Sequence, residues 1–186
     1  MNAEVATLES TELGRRLRSV PAPRPVLERD HEARLTARQR EVLDRLGTLF
    51  DDGFAELTMA DIAANVGCSL RTLYDLAPSR DELVLTVIDL NLRRIGRRAI
   101  SAIQPDLDPL VAIRSYLTAA NEAVAATTPA FARDQAATPA THRLATAHSD
   151  YLVAITRALL DLAVERGDIA PTDTAAVARV VAGLGA

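Results

Sequence analysis

The residues whose types could do chemistry fall into two groups. Cys68, His31, His142 and His148 are the side chains of nucleophilic or metal-ligating type, and they lie too far apart in sequence to suggest one site. A single cysteine excludes an internal disulfide and cannot build a metal centre by itself. There is also no glycine-rich phosphate loop, no metal-ligand spacing and no convincing Ser-His-Asp or Cys-His set, so enzymatic chemistry, a metal and a cofactor are not expected. The second group is concentrated in "CSLRTLYDLAPSRDEL", Cys68 to Leu83, where hydroxyls and guanidiniums alternate with apolar residues. Arginine is the better bidentate ligand of phosphate and guanine. The stretch is therefore either a helix that reads DNA or a helical turn inside an ordinary bundle.

Composition sets the frame for that choice. At 186 residues, 48% hydrophobic and 25% charged, the chain can build one good core or two small ones. Only 3% of residues are aromatic and alanine is abundant, which favours helices packed through small and aliphatic side chains. All 21 basic residues are arginine, yet the net charge is −4, and residues 31–100 carry ten arginines against eleven carboxylates. DNA binding would have to rest on the placement of a few arginines and helix N-termini rather than on a strong overall field. The first twenty residues lack the apolar core of a signal peptide, and no run approaches the roughly 20 apolar residues of a membrane span. A cytoplasmic protein with no membrane partner is expected.

The elements that must position these side chains follow from start and stop signals. Residues 1–35 are polar, pass through "VPAPRPV" and read as an arm or tail. Its Arg15, Arg16 and Arg18 could lie in a minor groove, or the segment could be a plain disordered tail. Thr36 and Gln39 form a capping box for a helix carrying Val42, Leu43, Leu46, Leu49 and Phe50, which stops near Gly53. Thr58 caps a two-turn helix with Asp61 at its third position, ending at Gly67. Ser69 caps a third helix carrying Leu70, Leu73, Tyr74 and Leu76, and Pro78 forces its end near Ala77. Ser79 and Glu82 open a long helix to about Ile103. Helix, two-turn helix, glycine turn, two-turn helix and long helix together form a tri-helical unit with a helix-turn-helix at its centre. Further helices are expected from Pro109 to about Ala126, from Pro129, from Pro139 or Thr141 to Arg166, and from Thr172 or Asp173 onward.

"TMADIAANVGCSLRTLYDLAPSRDELVLTVI", Thr58 to Ile88, resembles the DNA-binding signature of the TetR family of bacterial one-component regulators, and "VLDRLGTLFDDGF" is similar to that family's first helix and Gly-aromatic turn. The resemblance implies that Ser69, Leu70, Arg71 and Thr72 present the first turn of a recognition helix to the major groove, with Thr72 and Tyr74 reaching phosphate. An exposed Arg71 there could make a bidentate contact to a guanine edge, worth about 1–3 kcal/mol of discrimination. Thr58, Ser69 and Ser79 would sit at helix N-termini that favour phosphate, and Arg80 stands where the family has a lysine. Leu76 and Ala77 replace the family's His-Phe pair, and Asp75 brings an acid toward the DNA. Each residue has a plainer reading: Tyr74 as a core aromatic, Arg71 as a solvated cation, the hydroxyls as caps alone, and Cys68 as a small packed hydrophobe rather than a redox sensor.

The resemblance extends to an all-α architecture with an arm over 1–35, a DNA-binding domain over 36–80 and a helical regulatory and dimerisation domain over 81–186. Tyr116, Asn121, Phe131, His148 and Tyr151, with His142, are the candidate ligand-binding residues, each equally readable as core or surface, for an effector of mainly apolar character. In the family the last helices pack against a second subunit, so a homodimer is implied. The chain stops at Ala186, so the expectation is either a shortened chain that lacks the family's last helix or a dimer with a reduced interface, and hence a weakened dimer. The partners implied are a double-stranded DNA operator and a small-molecule effector, the mode that of a repressor released by its ligand. The alternative is a helical small-molecule or partner-binding protein with a degenerate helix-turn-helix, which Asp75 and the weak charge favour.

Overall fold

The computed structural model describes residues 11–104 and 107–183, and among them it contains ten α-helices and no strand. In chain order these are α1 (Glu12–Arg18), α2 (Arg29–Arg34), α3 (Ala37–Asp51), α4 (Met59–Val66), α5 (Leu70–Leu76), α6 (Arg80–Ser101), α7 (Pro109–Ala125), α8 (Pro129–Ala137), α9 (Pro139–Arg166) and α10 (Thr174–Gly183). The chain divides into two compact units. One comprises residues 24–93 with 127–146; the other comprises the described parts of 1–23, 94–126 and 147–186.

The first unit is built on the tri-helical arrangement. Thr36 caps α3 and Thr58 caps α4, each through a complete capping box, with Gln39 and Asp61 respectively reaching back to the cap. Ser69 caps α5 by accepting from the Thr72 N–H. Gly67 ends α4 in the left-handed conformation at φ 66°, and the next N–H, of Cys68, donates to the Ala63 carbonyl at 3.0 Å. Ala77 is extended, as Pro78 requires of its predecessor. Val42, Leu46 and Phe50 of α3, Ile62 and Val66 of α4, Leu73 and Leu76 of α5, and Leu83 and Ile88 of α6 close one apolar core. Two further segments join it: Leu27 and Leu35 from the preceding chain, and Phe131 from α8.

The second unit packs α1, the end of α6, α7, the rest of α9 and α10. Its core is Leu13 and Leu17 with Ile113, Tyr116, Ile155, Leu159 and Leu162, cemented by buried alanines such as Ala112, Ala120 and Ala178.

Two expectations change here. The segment 1–35 is not an arm over its described part. Thr11 caps α1 by accepting from Gly14 N–H, and Leu13 and Leu17, one turn apart, are 2% and 5% exposed in the second unit's core. Arg16 pairs with Glu165 and Arg166 with Glu12, so the α1 cations expected to be free for a minor groove include one bound within the protein. Residues 1–10 lie outside the described residues. Nor does the chain divide at 80/81: residues 127–146 return to the first unit because Phe131 and Asp134 are buried there.

Candidate nucleic-acid interface

The seven residues of α5 sort cleanly by angle. At 100° per residue, Leu73 and Leu76 fall on one side and are 0% and 3% exposed, while Leu70, Arg71, Tyr74 and Asp75 form one outward stripe. Leu70 is 45% and Tyr74 52% exposed, so Tyr74 is not a core aromatic. Leucine and tyrosine held in water at that level form a small apolar patch, with Arg71 as its cation and Asp75 as its anion. Arg71 and Asp75 make no ion pair with one another or with any other described residue. The Ser69 and Thr72 hydroxyls lie 2.9 Å apart at the head of the helix.

What holds this helix in place is a set of arginines committed to backbone carbonyls. Arg38 of α3 donates to the Gly67 carbonyl at 2.9 Å and Arg45 donates to the Val66 carbonyl at 3.2 Å. These are the carbonyls at the C-terminus of α4, where the helix dipole favours cations. Glu41 accepts from both guanidiniums, at 2.7 and 2.6 Å, and the neighbouring Arg38 and Arg45 hold its carboxyl below the usual carboxylate range. The turn between α4 and α5 is thereby tied to α3. The Asp61 carboxylate, held low by its hydrogen bonds from the Thr58 hydroxyl and N–H, occupies the mouth of α4 with a negative charge.

Arg80, which the resemblance puts among the DNA contacts, has its guanidinium largely engaged within the chain. Its Nε donates to the Leu57 carbonyl at 2.6 Å and its Nη2 to the carbonyls of Ala55, at 2.7 Å, and Phe54. The segment between α3 and α4 has carbonyls without helical partners, and the first residue of α6 is in reach of them. Ser79 caps α6 by accepting from the Glu82 N–H.

The candidate ligand residues are not gathered together. Tyr116 is 1% exposed in the second unit's core. Its hydroxyl is driven well above the usual tyrosine range by burial and then by the neighbouring Tyr151, itself half-buried and raised by burial. His148 is half-buried, Asn121 is exposed, and His142 is exposed in the first unit. Phe131 belongs to the first unit's core, 8% exposed and edge-on to Phe54 with ring centroids 5.6 Å apart, because α8 carries it there. Sequence reasoning also missed two polar clusters. Asp134 accepts from the N–H groups of Phe54 and Ala55, and Asp89, 0% exposed, accepts from the Val26 N–H and faces Arg93, which in turn pairs with Glu32. The Asp134 partners lie 79 and 80 residues away and leave no local signal, and in the second cluster only the i,i+4 pair Asp89–Arg93 is local, the Val26 and Glu32 partners being 63 and 61 residues away. Among the described residues no group of three or more His, Cys, Asp or Glu is arranged to hold a metal, and no helix is long and apolar enough to cross a membrane.

No family model and no curated protein matches the sequence. Solved structures do match. A Clostridium perfringens protein described as a candidate fatty acid metabolism regulator superposes with a TM-score of 0.59 at 17% identity, over 78% of this chain and 81% of its own. A TetR family transcriptional regulator, PfmR from Thermus thermophilus, superposes with a TM-score of 0.57 at 23% identity, over 77% and 81% of the two chains. With ten described helices, no described strand and a capped helix-turn-helix at its head, the chain has the all-α fold of the TetR family transcriptional regulators.

Proposed function

We propose that the protein is a DNA-binding transcriptional regulator, a repressor released from its operator by a small molecule. The observation that carries this reading is the outward stripe of α5. Leu70, Arg71 and Tyr74 project from a short helix whose other side is fully buried and whose preceding turn is tied down by two arginines. A side chain that reads a base edge must be held in register, and this frame supplies that. Arg71 is the base-reading residue, with Leu70 beside it for apolar contact in the major groove. Ser69, Thr72 and Ser79 hydrogen-bond phosphates from the heads of their helices, and Tyr74 does so from the exposed stripe, whereas both Thr58 donors are taken by Asp61. Arg80 acts through the segment it holds rather than through phosphate.

In this reading the effector binds in the second unit near Tyr116, Tyr151 and His148, and shifts the population away from the DNA-competent conformation through α6, whose backbone runs continuously from one unit into the other. Val180 and Val181 of α10, 61% and 38% exposed, suit the apolar interface of a homodimer. Sedimentation at micromolar concentration tests that dimer. A monomer under those conditions would remove the two-fold operator from the account.

The test of the whole reading is selection of bound fragments from the protein's own genome at low salt, followed by Arg71→Ala and Tyr74→Phe. Enrichment of a discrete site that Arg71→Ala no longer prefers supports it. The second reading, a helical binding protein whose helix-turn-helix has lost its operator, is favoured by Asp75 on the α5 stripe, by Asp61 at the head of α4 and by the internal engagement of Arg80. Failure to enrich any site would decide for it.

A further inference from the structure

We propose that Asp134, a residue of α8 well over fifty positions beyond the helix-turn-helix, is a positioning residue for DNA recognition that fixes the α3–α4 segment and through it the head of α4. The inference rests on the proposed DNA-binding reading and goes beyond it by locating the control point.

The segment Asp52–Leu57 joins α3 to α4, and the Phe54 and Ala55 N–H groups have no helical partner. Phe54 is 3% exposed, so water does not supply one readily. A single carboxylate oxygen, Oδ2 of Asp134, accepts both, at 2.7 and 2.8 Å. Asp134 is itself 6% exposed. The carbonyls of the same two residues accept from the guanidinium of Arg80. The segment is thus clamped by an anion on its donors and a cation on its acceptors, both charge-assisted bonds of the stronger kind.

Three further observations fit a built device. Gly53 is at φ 101°, a conformation that favours glycine, and a Cβ there would stand 3.1 Å from Oδ2 and crowd the carboxylate. The Thr128 hydroxyl, which caps α8, donates to the Asp51 carbonyl at the end of α3. Phe131 stacks edge-on against Phe54. Thr128, Phe131 and Asp134 therefore grip the same segment from the first turns of α8, and Thr58, the cap of α4, is the next residue after it. Burial pushes the Asp134 carboxyl up, but the Ala55 and Phe54 N–H groups and Arg133 outweigh it and leave the group below its usual 3.8. The clamp stays charged at neutral pH, so its own titration does not open it there.

The test uses the full chain and the genomic DNA fragment that the wild type selects, with Asp134→Asn, which keeps the shape, and Asp134→Ala. Affinity over a salt series, thermal melting and amide hydrogen exchange are read together. The expected result is an affinity lower by roughly ten- to a hundredfold, the range of a lost charge-assisted bond, with the salt slope unchanged because no phosphate contact is removed. Phe54 and Ala55 amides should exchange at least about tenfold faster, with α4 following and α7 unaffected. A variant that melts earlier but binds the fragment as the wild type does would make Asp134 merely structural and overturn the proposal. If the wild type selects no fragment, the DNA-binding reading fails, and unchanged exchange at Phe54 and Ala55 would separately remove the clamp.

Discussion

The two units of this molecule are each built by different means. In the unit containing the helix-turn-helix, polar side chains are committed to particular backbone atoms. Arg38, Arg45 and Arg80 serve carbonyls, Asp134 serves N–H groups, and Asp89 is buried against Arg93. Its aromatic rings, Phe50, Phe54 and Phe131, stack at 5.3 and 5.6 Å. In the other unit, buried alanines such as Ala99, Ala112, Ala163 and Ala182 let helices approach closely; of its buried hydroxyls, Thr156 back-bonds to the Leu152 carbonyl one turn away and Thr174 donates to Asp161 of the preceding helix. Directional bonds specify one arrangement, whereas aliphatic and small-residue packing loses uniqueness before it loses stability. In the proposed reading, presenting Arg71 in one register draws on the first kind of construction, and adapting to an effector draws on the second.

Four changes test this contrast, the largest first. Phe54→Ala removes the ring between Phe50 and Phe131 and should cost about 3–5 kcal/mol in denaturant titrations. It should also loosen the α3–α4 segment. Gly67→Ala forces a Cβ residue into φ 66° where the nearest atom, Arg45 Nη1, is an unstrained 3.7 Å away, so backbone strain alone sets a cost of roughly 1–2 kcal/mol. A change in DNA affinity beyond that loss would show that the turn is part of the reading frame. Thr58→Ala removes a capping box and should cost about 1 kcal/mol. Tyr116→Phe should be nearly silent at pH 7.

Tyr116 has a visible effect only in base. Its folded-state pKa is raised, so its contribution is complete below about 10, the ordinary tyrosine value, and is lost as pH rises beyond it. Asp134 and Glu41 have the opposite sign. Their folded-state values are depressed, so their contributions are present above the ordinary carboxylate range and lost as pH falls through the lowered values. Hydrogen exchange should therefore find acid loosening the helix-turn-helix unit first and base loosening the other, and Tyr116→Phe should remove part of the base sensitivity. Simultaneous loss of protection in both units at both extremes would erase the contrast.

The same contrast explains what can be read from the chain. The helix-turn-helix is legible because its signals are local: Thr36 with Gln39, Thr58 with Asp61, Gly67 and Pro78 each act within about five residues. The later helices are legible from Asp108, Pro129, Pro139 and Gly167. What escapes is long-range. Asp134 meets its partners 79 and 80 positions away, and nothing in "PAFARDQAA" distinguishes it from a solvated acid. Phe131, a candidate ligand contact by sequence, belongs to the other unit's aromatic core. The segment before the prolines carries Leu13 and Leu17 one turn apart after a capping Thr11, but the prolines beyond mask the pattern. Arg80 has the right charge for phosphate, and only the fold reveals carbonyls within its reach.

The central claim is that the outward stripe of α5 reads DNA through Arg71. Its most direct test is binding of the wild type and Arg71→Ala to the genomically selected fragment and to a scrambled one, at fixed low salt. The account predicts that Arg71→Ala loses about 1–3 kcal/mol of the preference for the selected fragment while both proteins bind the scrambled one weakly. Equal preference by the two proteins would contradict it.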